Sequence, residues 1–562
     1  QGSFDTLTSG MFSIFSGMTS LIQAEQKYER LTIKREGFVT ASKPSFGLMN
    51  GTTTDPTVGG YIWSYVGAFF RLNYGYKGKY LAEVSGRYDG SSKFPTNSKW
   101  GFFPSASVAW RVSEEPWMKW SEEWLDNFKI RLSAGSMGNG NVDPYSYTSE
   151  MTVATASDIV LGGGLPSYTT VGSTVPVSLT WEKSTTYDLG LDLDFLNNRL
   201  SFSGDYYRRY TTDMYTPSIS LPSVYGTTSP KGNNAELRTT GWELSLTWRD
   251  SFKLGGKPFD YSIKAMVWDS KSVITKYVND TGSLGTVKGF IENGGSPSSY
   301  YVGMTVGEIW GYTVAGLFRD QADIDSSAIH DFVQASDKVT RPGQVKIADL
   351  DHNGNIDPGA FTADDHGDLS IIGNINPHYM FGVNLAANWN GIGLSVFLQG
   401  VGARDWYPGS DAGMFWGKYG RPFFALIPSI HNYTDDMYSA ERNNWDTAYW
   451  PRMTTYQSNG TKNWTRLLEI PNTRHIQSAA YLRVKNIQLD YSFPKHICSA
   501  IRLQGLKIYV NAENLFTFTP LHKYAPNFDP EGLSYDSDFA SAADGYTYPI
   551  LKSVTVGVNI TF

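Results

Sequence analysis

The stretch DLDHNGNID, Asp349 to Asp357, sets Asp349, Asp351, Asn353, Asn355 and Asp357 at alternate positions, with Gly354 sixth in the run. Oxygen-bearing side chains at that spacing, a glycine for the sharp turn and a backbone carbonyl from the seventh position are the ligand pattern of an EF-hand calcium loop. The twelfth position is Ala360, so the bidentate glutamate is absent, and Asp364 or Asp365 would have to fold back in its place. Two readings stay open: a structural Ca2+ or Mg2+ site, and an acidic Asx-rich turn that is solvated and metal-free. Enzymatic chemistry has no comparable pattern. The 8 histidines lack HExxH spacing, and no GxSxG elbow or phosphate-cradling glycine run stands between a strand and a helix. GSMGNGN (Gly135 to Asn141) reads as a loop turn, and the pairs Glu122-Glu123 and Asp364-Asp365 read as solvated surface. The expectation is a non-enzyme that requires no cofactor.

The elements that must carry such a loop are strands. In the closing SVTVGVNITF, Val554, Val556, Val558, Ile560 and Phe562 share one face, and Ser553, Thr555, Gly557, Asn559 and Thr561 share the other. The same period of two runs through Leu189, Leu191, Leu193 and Phe195, through Trp242, Leu244, Leu246 and Trp248, and through Phe381, Val383 and Leu385. Asn197-Asn198, Gly255-Gly256, Asn390-Gly391 and Lys77-Gly78 supply tight turns. A β-sandwich has the same alternation. Connection lengths separate the two folds, because long connections near 137–180, 210–236, 270–375, 401–479 and 518–547 alternate with the tight turns and a moderate connection near 494–505. Counting back from Phe562 yields about fourteen strands, with every long connection on one side, as in outer-membrane barrels whose ~10-residue strands face lipid at alternate positions. A last strand ending on an aromatic residue suits such a barrel.

Composition agrees. The 562 residues are 41% hydrophobic, 18% charged and 15% aromatic, with 56 Gly, which suits many short aromatic strands bounded by glycine turns. A net charge of -7 excludes a basic nucleic-acid footprint. Cys498 is the only cysteine, so neither a disulfide framework nor a thiolate cluster is expected. No run approaches the roughly 18 apolar residues of a helical span. The opening Gln1-Gly2-Ser3, without initiator Met or leader, is expected to be a processed or truncated start.

Four blocks carry a resemblance: Arg87 to Met118, Leu179 to Met214, Gly232 to Arg249 and Asn511 to Glu531. In order and residue pattern they are similar to the SusC-like (SusC/RagA) TonB-dependent transporters of the Bacteroidetes outer membrane. The resemblance implies an all-β transmembrane antiparallel β-barrel with long extracellular loops and short periplasmic turns. Residues 1–562 would be the C-terminal part of one 22-stranded barrel domain, a size that holds a plugged lumen. Signal peptide, TonB box, plug and first barrel strands have no counterpart here. Because an open arc of strands leaves unpaired edges in the bilayer, the rest of the barrel and its plug are expected on a separate polypeptide or on further chain outside this sequence. A smaller closed barrel is the fallback.

The resemblance further implies active import of an oligosaccharide or oligopeptide in a multi-pass outer-membrane SusCD-type complex. A SusD-like surface lipoprotein would be the lid, and TonB would act through the missing N-terminal part. Lipid is an expected partner and nucleic acid is not. YYVGMTVGEIWGYTVAGLF resembles a family segment of a long external loop, which makes Glu308, Trp310 and Tyr312 candidate solute-binding residues. Trp406, Tyr407 and Trp416, with Trp445, Trp450 and Trp464, are aromatic planes suited to sugar rings, although loop-to-loop packing is the favoured role for any one of them. IIGNINP (Ile371 to Pro377) resembles the family segment leading from the Asp349–Asp357 loop into the next strand, so an ion tying that loop down fits. A passive diffusion porin is the alternative, and a soluble β-sandwich or adhesin a third.

Overall fold

The computed structural model describes residues 2–6, 10–25, 61–149, 151–155, 161, 165–171, 175–176, 179–217, 224, 231–286, 289–290, 296–330, 339–408, 412–416, 436–452, 470–533 and 550–562. A 15-stranded sheet dominates, and its strand order follows the chain. Its strands are β1 (Gly2–Thr6), β2 (Gly10–Glu25), β3 (Tyr61–Tyr76), β4 (Tyr80–Ser91), β5 (Trp100–Arg111), β6 (Leu125–Asn139), β7 (Glu182–Phe195), β8 (Leu200–Pro217), β9 (Lys231–Leu254), β10 (Lys257–Lys276), β11 (His378–Trp389), β12 (Ile392–Ala403), β13 (Tyr481–Ser492), β14 (Gly505–Phe518) and β15 (Ser553–Thr561). Every pairing whose register is described is antiparallel. Among the described residues the sheet has fifteen strands, against an expectation of about fourteen.

The expected turns close the hairpins. Trp389 pairs with Ile392 around Asn390 (φ 48) and Gly391 (φ 90), and Leu254 pairs with Lys257 around Gly255 (φ 59) and Gly256 (φ 78). Positive φ at both central residues gives the turn a twist that matches its strands. At Gly391 the need is double, because a Cβ would also lie 2.6 Å from the Ser492 carbonyl oxygen. The β7–β8 turn is wider than Asn197-Asn198: residues 196–199 form it, with Leu196 also left-handed. Several long connections are shorter than expected because the strands project beyond the alternating core. The 210–236 connection shrinks to 218–230, since β8 runs on to Pro217 and β9 begins at Lys231.

The chain divides into two compact units. In the first (Gln1–Val108, Ser133–Thr186, Tyr210–Ala235), one face of β3 and β4 is polar: Arg71 pairs with Glu83 at 2.7 Å, and Arg87 pairs with Asp89 at 2.6 Å while donating to the Tyr65 hydroxyl at 2.9 Å. On the other face Val66, Phe70, Tyr74, Val84 and Tyr88 are exposed. Phe94, Phe103, Val142, Leu179 and Trp181 pack into a core at the long-connection end.

In the second unit (Ala109–Leu132, Tyr187–Arg209, Glu236–Phe562), Arg131 bridges Asp192 (2.8 Å) and Asp205 (2.9 Å), while Tyr187 and Leu189 are exposed on the opposite face of β7. On β15, Val554, Val556, Val558 and Ile560 are likewise exposed, and the strand pairs with β14 from Ser553↔Glu513 to Thr561↔Gly505. The long connections of this unit build a packed body of their own. One cluster joins Tyr301, Met304, Trp310, Tyr312, Val345, Ile347 and Ile356, and another joins Trp406, Tyr407, Phe415, Trp416, Trp450 and Phe528. The charges of β13 anchor part of that body: Arg483 holds Asp529 at 2.8 Å and Lys485 holds Glu531 at 2.7 Å.

Candidate functional site

The acidic loop leaves a short strand, Val345–Ile347, which pairs with Val314–Leu317. Both ends of that strand are buried, so its exit delivers Asp349 to a defined place. Gly354 (φ 83) makes the sharp turn, and its N–H donates to Asp349 Oδ2 at 3.0 Å. The Asp351 carboxylate accepts from the Asn353 N–H and from its side-chain amide, each at 3.0 Å. Asn353 Oδ1 accepts from the Asn355 N–H at 2.7 Å. Ile356 is 1% exposed and donates its N–H to the Ile329 carbonyl at 2.8 Å, while the Ile329 N–H donates to the Gly354 carbonyl at 2.8 Å, which anchors the far side of the loop.

Asp349 and Asp351 meet a third carboxylate, Asp368, with ligand oxygens all within 4.8 Å of one another. Asp368 is 0% exposed and accepts from the Leu350 N–H (2.6 Å) and the Asp357 N–H (3.0 Å). Burial first, then the Asp351 and Asp349 charges, hold its pKa above the ordinary carboxylate value against those two donors. Asp349 Oδ1 is buried and accepts no hydrogen bond. Three converging carboxylates, one with an oxygen that accepts no hydrogen bond, are of the hard-oxygen type that Ca2+ or Mg2+ takes. Neither Asp364 nor Asp365 is the acid that folds back; Asp365 instead accepts from the Thr362 N–H through its backbone carbonyl at 3.1 Å. Asp357 stands outside the group of three, its carboxylate taken by the Gly359 N–H at 2.7 Å and the Asn353 amide at 3.4 Å. The Asn355 backbone N–H is committed to the loop's own Asx turn.

Glu308, Trp310 and Tyr312 lie on one strand, Glu308–Tyr312, buried at every residue and paired with Leu369–Asn374. Glu308 accepts from the Tyr301 hydroxyl, from the Thr305 N–H at 3.1 Å and from Trp310 Nε1 at 3.0 Å. Its carboxylate therefore clamps the turn that precedes the strand. The Tyr301 hydroxyl, buried against that carboxylate, has its pKa pushed up.

Trp406, Tyr407 and Trp416 are 0%, 1% and 2% exposed. Tyr407 donates its hydroxyl proton to the Ile470 carbonyl (3.2 Å) and accepts from Asn472 Nδ2 (3.1 Å). The structure thus buries the six aromatic and acidic candidates in two separate loop cores, Trp310 and Tyr312 in one and Trp406, Tyr407 and Trp416 in the other. Trp450 is 0% exposed in the second core, Trp445 is half-exposed, and Trp464 lies outside the described residues.

The sequence reading missed the centre of that second core. His475 is 0% exposed, stacked on Trp450 (5.9 Å, 27°) and edge-on to Trp416 and Tyr449. Its Nδ1 sits 3.0 Å from Asn472 Oδ1. Burial, then the neighbouring Arg474 charge, push its pKa down to about 3. Arg474 donates to the Tyr449 and Ala448 carbonyls, and Arg404 donates to the carbonyls of Ile375, Pro530 and Leu533, so each guanidinium ties loop segments together. PNTRHIQ carries no periodicity or ligand spacing that would have singled these residues out.

Residues 4–515 match the family described as TonB dependent receptor-like, beta-barrel. TonB-dependent receptor P26 of Formosa agariphila is 26% identical over 549 residues, covering 96% of this chain and 50% of the relative. TonB-dependent receptor SusC of Bacteroides thetaiotaomicron is 25% identical over 505 residues, covering 88% of this chain and 44% of the relative. Among solved structures, the RagAB peptide importer in its closed-closed state superposes with a TM-score of 0.70 at 18% identity, over 100% of this chain and 54% of that one. The chain spans about half the length of the curated relatives it matches.

Proposed function

Because the chain belongs to the TonB-dependent receptor-like β-barrel family, we propose that it is the wall and external loop body of an outer-membrane importer for an oligosaccharide or oligopeptide. A plug beyond this stretch couples it to TonB, and a SusD-like lipoprotein caps the long loops. One observation carries the reading. In each unit the strands set a charged, hydrogen-bonded face (Arg71 and Glu83 in the first; Arg131, Asp192 and Asp205 in the second) opposite an exposed apolar face, as a solute-conducting wall in lipid requires. The name of the structurally similar RagAB peptide importer supports the peptide arm of this reading, and the glycan arm stays beside it as our own proposal.

Within that assembly the solute meets groups other than the six buried candidates unless the loop cores open. Trp310 and Trp406, at 4% and 0% exposure, act first by keeping the loop body in one shape. The Asp349, Asp351 and Asp368 carboxylates hold a structural Ca2+ or Mg2+ that pins the loop leading into β11. The unpartnered Asp349 Oδ1 supports this assignment over a solvated turn.

The deciding experiment is mild-detergent purification from native outer membranes with intact-mass identification of every co-purifying chain. A SusD-like lipoprotein and a plug-bearing segment, on the same or a separate polypeptide, are expected. A chain that runs alone and passes steady current in planar bilayers would make the protein a porin instead.

A further inference from the structure

The connection between β5 and β6, residues 112–124, differs from the tight turns on its side of the sheet. It folds into two short 3-10 helices, Val112–Glu114 and Pro116–Ser121. Val112, Glu115, Met118 and Ser121 are buried; Met118 and Ser121 are one three-residue turn apart in the second helix, and Glu115 sits in extended backbone between the two. Outside that set, Trp117 is 58% and Trp120 69% exposed, with Trp124 at 42%.

What the buried residues cover decides where the segment lies. Val112, Met118 and Leu125 pack on Phe128, Ile130, Leu193 and Phe195. On β6 those residues alternate with Asn127, Lys129 and Arg131, and on β7 with Asp192 and Asp194, which carry the polar network of the opposite face. Farther along that same apolar face, Leu189 and Tyr187 are bare at 50% and 54% exposure. The segment therefore lies on the apolar outer side of the wall, at the short-turn end. Trp124 stacks on Phe195 (6.0 Å, 10°), and its carbonyl accepts from the Leu196 N–H at 3.0 Å. Trp117 meets Trp110 edge-on at 6.4 Å. Trp110 is exposed, as are Tyr187 and Leu189 of the same unit, so the helical tryptophans continue the lipid-facing surface there.

We propose that residues 112–124 are a membrane-interface collar, whose occupant is phospholipid at the headgroup–acyl boundary of the periplasmic leaflet. Trp117 and Trp120 enter the acyl boundary, where an indole keeps its ring in an apolar layer and its N–H near water. The exposed Glu122 and Glu123 face the aqueous side. Continuity with the wall's lipid-facing row selects lipid over a periplasmic protein. This inference rests on the barrel fold and is independent of the solute, lid or TonB coupling.

Trp117→Cys and Trp120→Cys, each nitroxide-labelled in the intact transporter in phospholipid nanodiscs, test it against Asn197→Cys in the neighbouring exposed turn. Cys498 is 1% exposed and stays unlabelled in the parent control. At both tryptophan positions, collision with oxygen is expected to rise and collision with an aqueous nickel chelate to fall several-fold relative to position 197. Accessibility equal to that at 197 would place the segment in water, and shielding from both reagents would mean that protein covers it; either result overturns the collar. A label-free arm uses Trp117→Phe and Trp120→Phe together, which should lower the share of tryptophan fluorescence quenched by brominated phospholipid. An unchanged share would also overturn it.

Discussion

His475 and Asp368 are the two residues whose burial has the clearest consequences. With its pKa held near 3 against an ordinary 6.5, His475 is neutral in the folded loop body, while an unfolded loop takes up a proton between those values. The stability it allows is complete above pH 6.5 and falls as pH drops through the window, by about 2 kcal/mol at pH 5. Hydrogen exchange of peptides spanning 470–479, corrected for intrinsic rates, should accelerate from pH 7 to pH 5 in the parent and much less in His475→Gln. Equal acidification effects in both proteins would assign the sensitivity elsewhere. At Asp368 the expected outcome is a calcium response. Saturating Ca2+ or Mg2+ slows exchange over 345–370 and raises local stability, by about 2.7 kcal/mol at a hundredfold excess over Kd. Asp368→Asn removes the response. A parent protein indifferent to both cations would leave the loop as a hydrogen-bonded Asx turn. The alternate spacing from Asp349 made this loop legible in the sequence, but the distant third acid was not, because a residue that folds back has no fixed sequence offset.

Among the elements, the hairpins are the most local, and their turns can be tested directly. Gly391 combines φ 90 with a backbone oxygen 2.6 Å from where a Cβ would stand. Gly382 on β11 meets only side-chain ends at 3.4 Å, Met266 Cε and Phe397 Cε2, before any backbone atom. Gly391→Ala should therefore cost upwards of about 1 kcal/mol, and Gly382→Ala far less. Urea midpoints of the reconstituted protein, read by heat-modifiable gel migration, compare them. Similar midpoints would mean that the turn does not limit hairpin stability. Asn-Gly and Gly-Gly are legible because few residues tolerate left-handed backbone. The Leu196 conformation was not, since a β-prone leucine gives no local sign that the turn widens to include it. The collar at 112–124 was hidden for a related reason: two short 3-10 helices leave too brief a pattern to stand out beside period-two strands.

For the whole molecule, the chain spans about half the length of the relatives it matches, and the sheet's sequential order fits a wall built by adding each hairpin to the last. The buried loop cores matter at this scale. Under the proposed function, a lid or solute would meet a pre-packed body whose arginines, Arg404, Arg474 and Arg483, hold loop to loop and loop to strand. Preorganisation of that kind lowers the ordering cost of binding. The candidate residues chosen for their aromatic planes are part of that body, because large aromatic side chains are also what closes a core.

The sequence by itself determined what depends on neighbours along the chain: strand periodicity, which face is apolar, where hairpins turn, and the ligand spacing of one loop. Such features repeat every two residues or sit within a single turn, so local sterics and burial specify them. Only the tertiary structure decided which carboxylate joins Asp349 and Asp351, that Glu308 clamps Tyr301 and Trp310, that His475 is enclosed by Trp416, Tyr449 and Trp450, and that residues 112–124 lie over the apolar side of the wall. Those outcomes come from segments far apart in the chain, or from a competition between burial in a loop core and exposure to solute, which residue type alone leaves undecided.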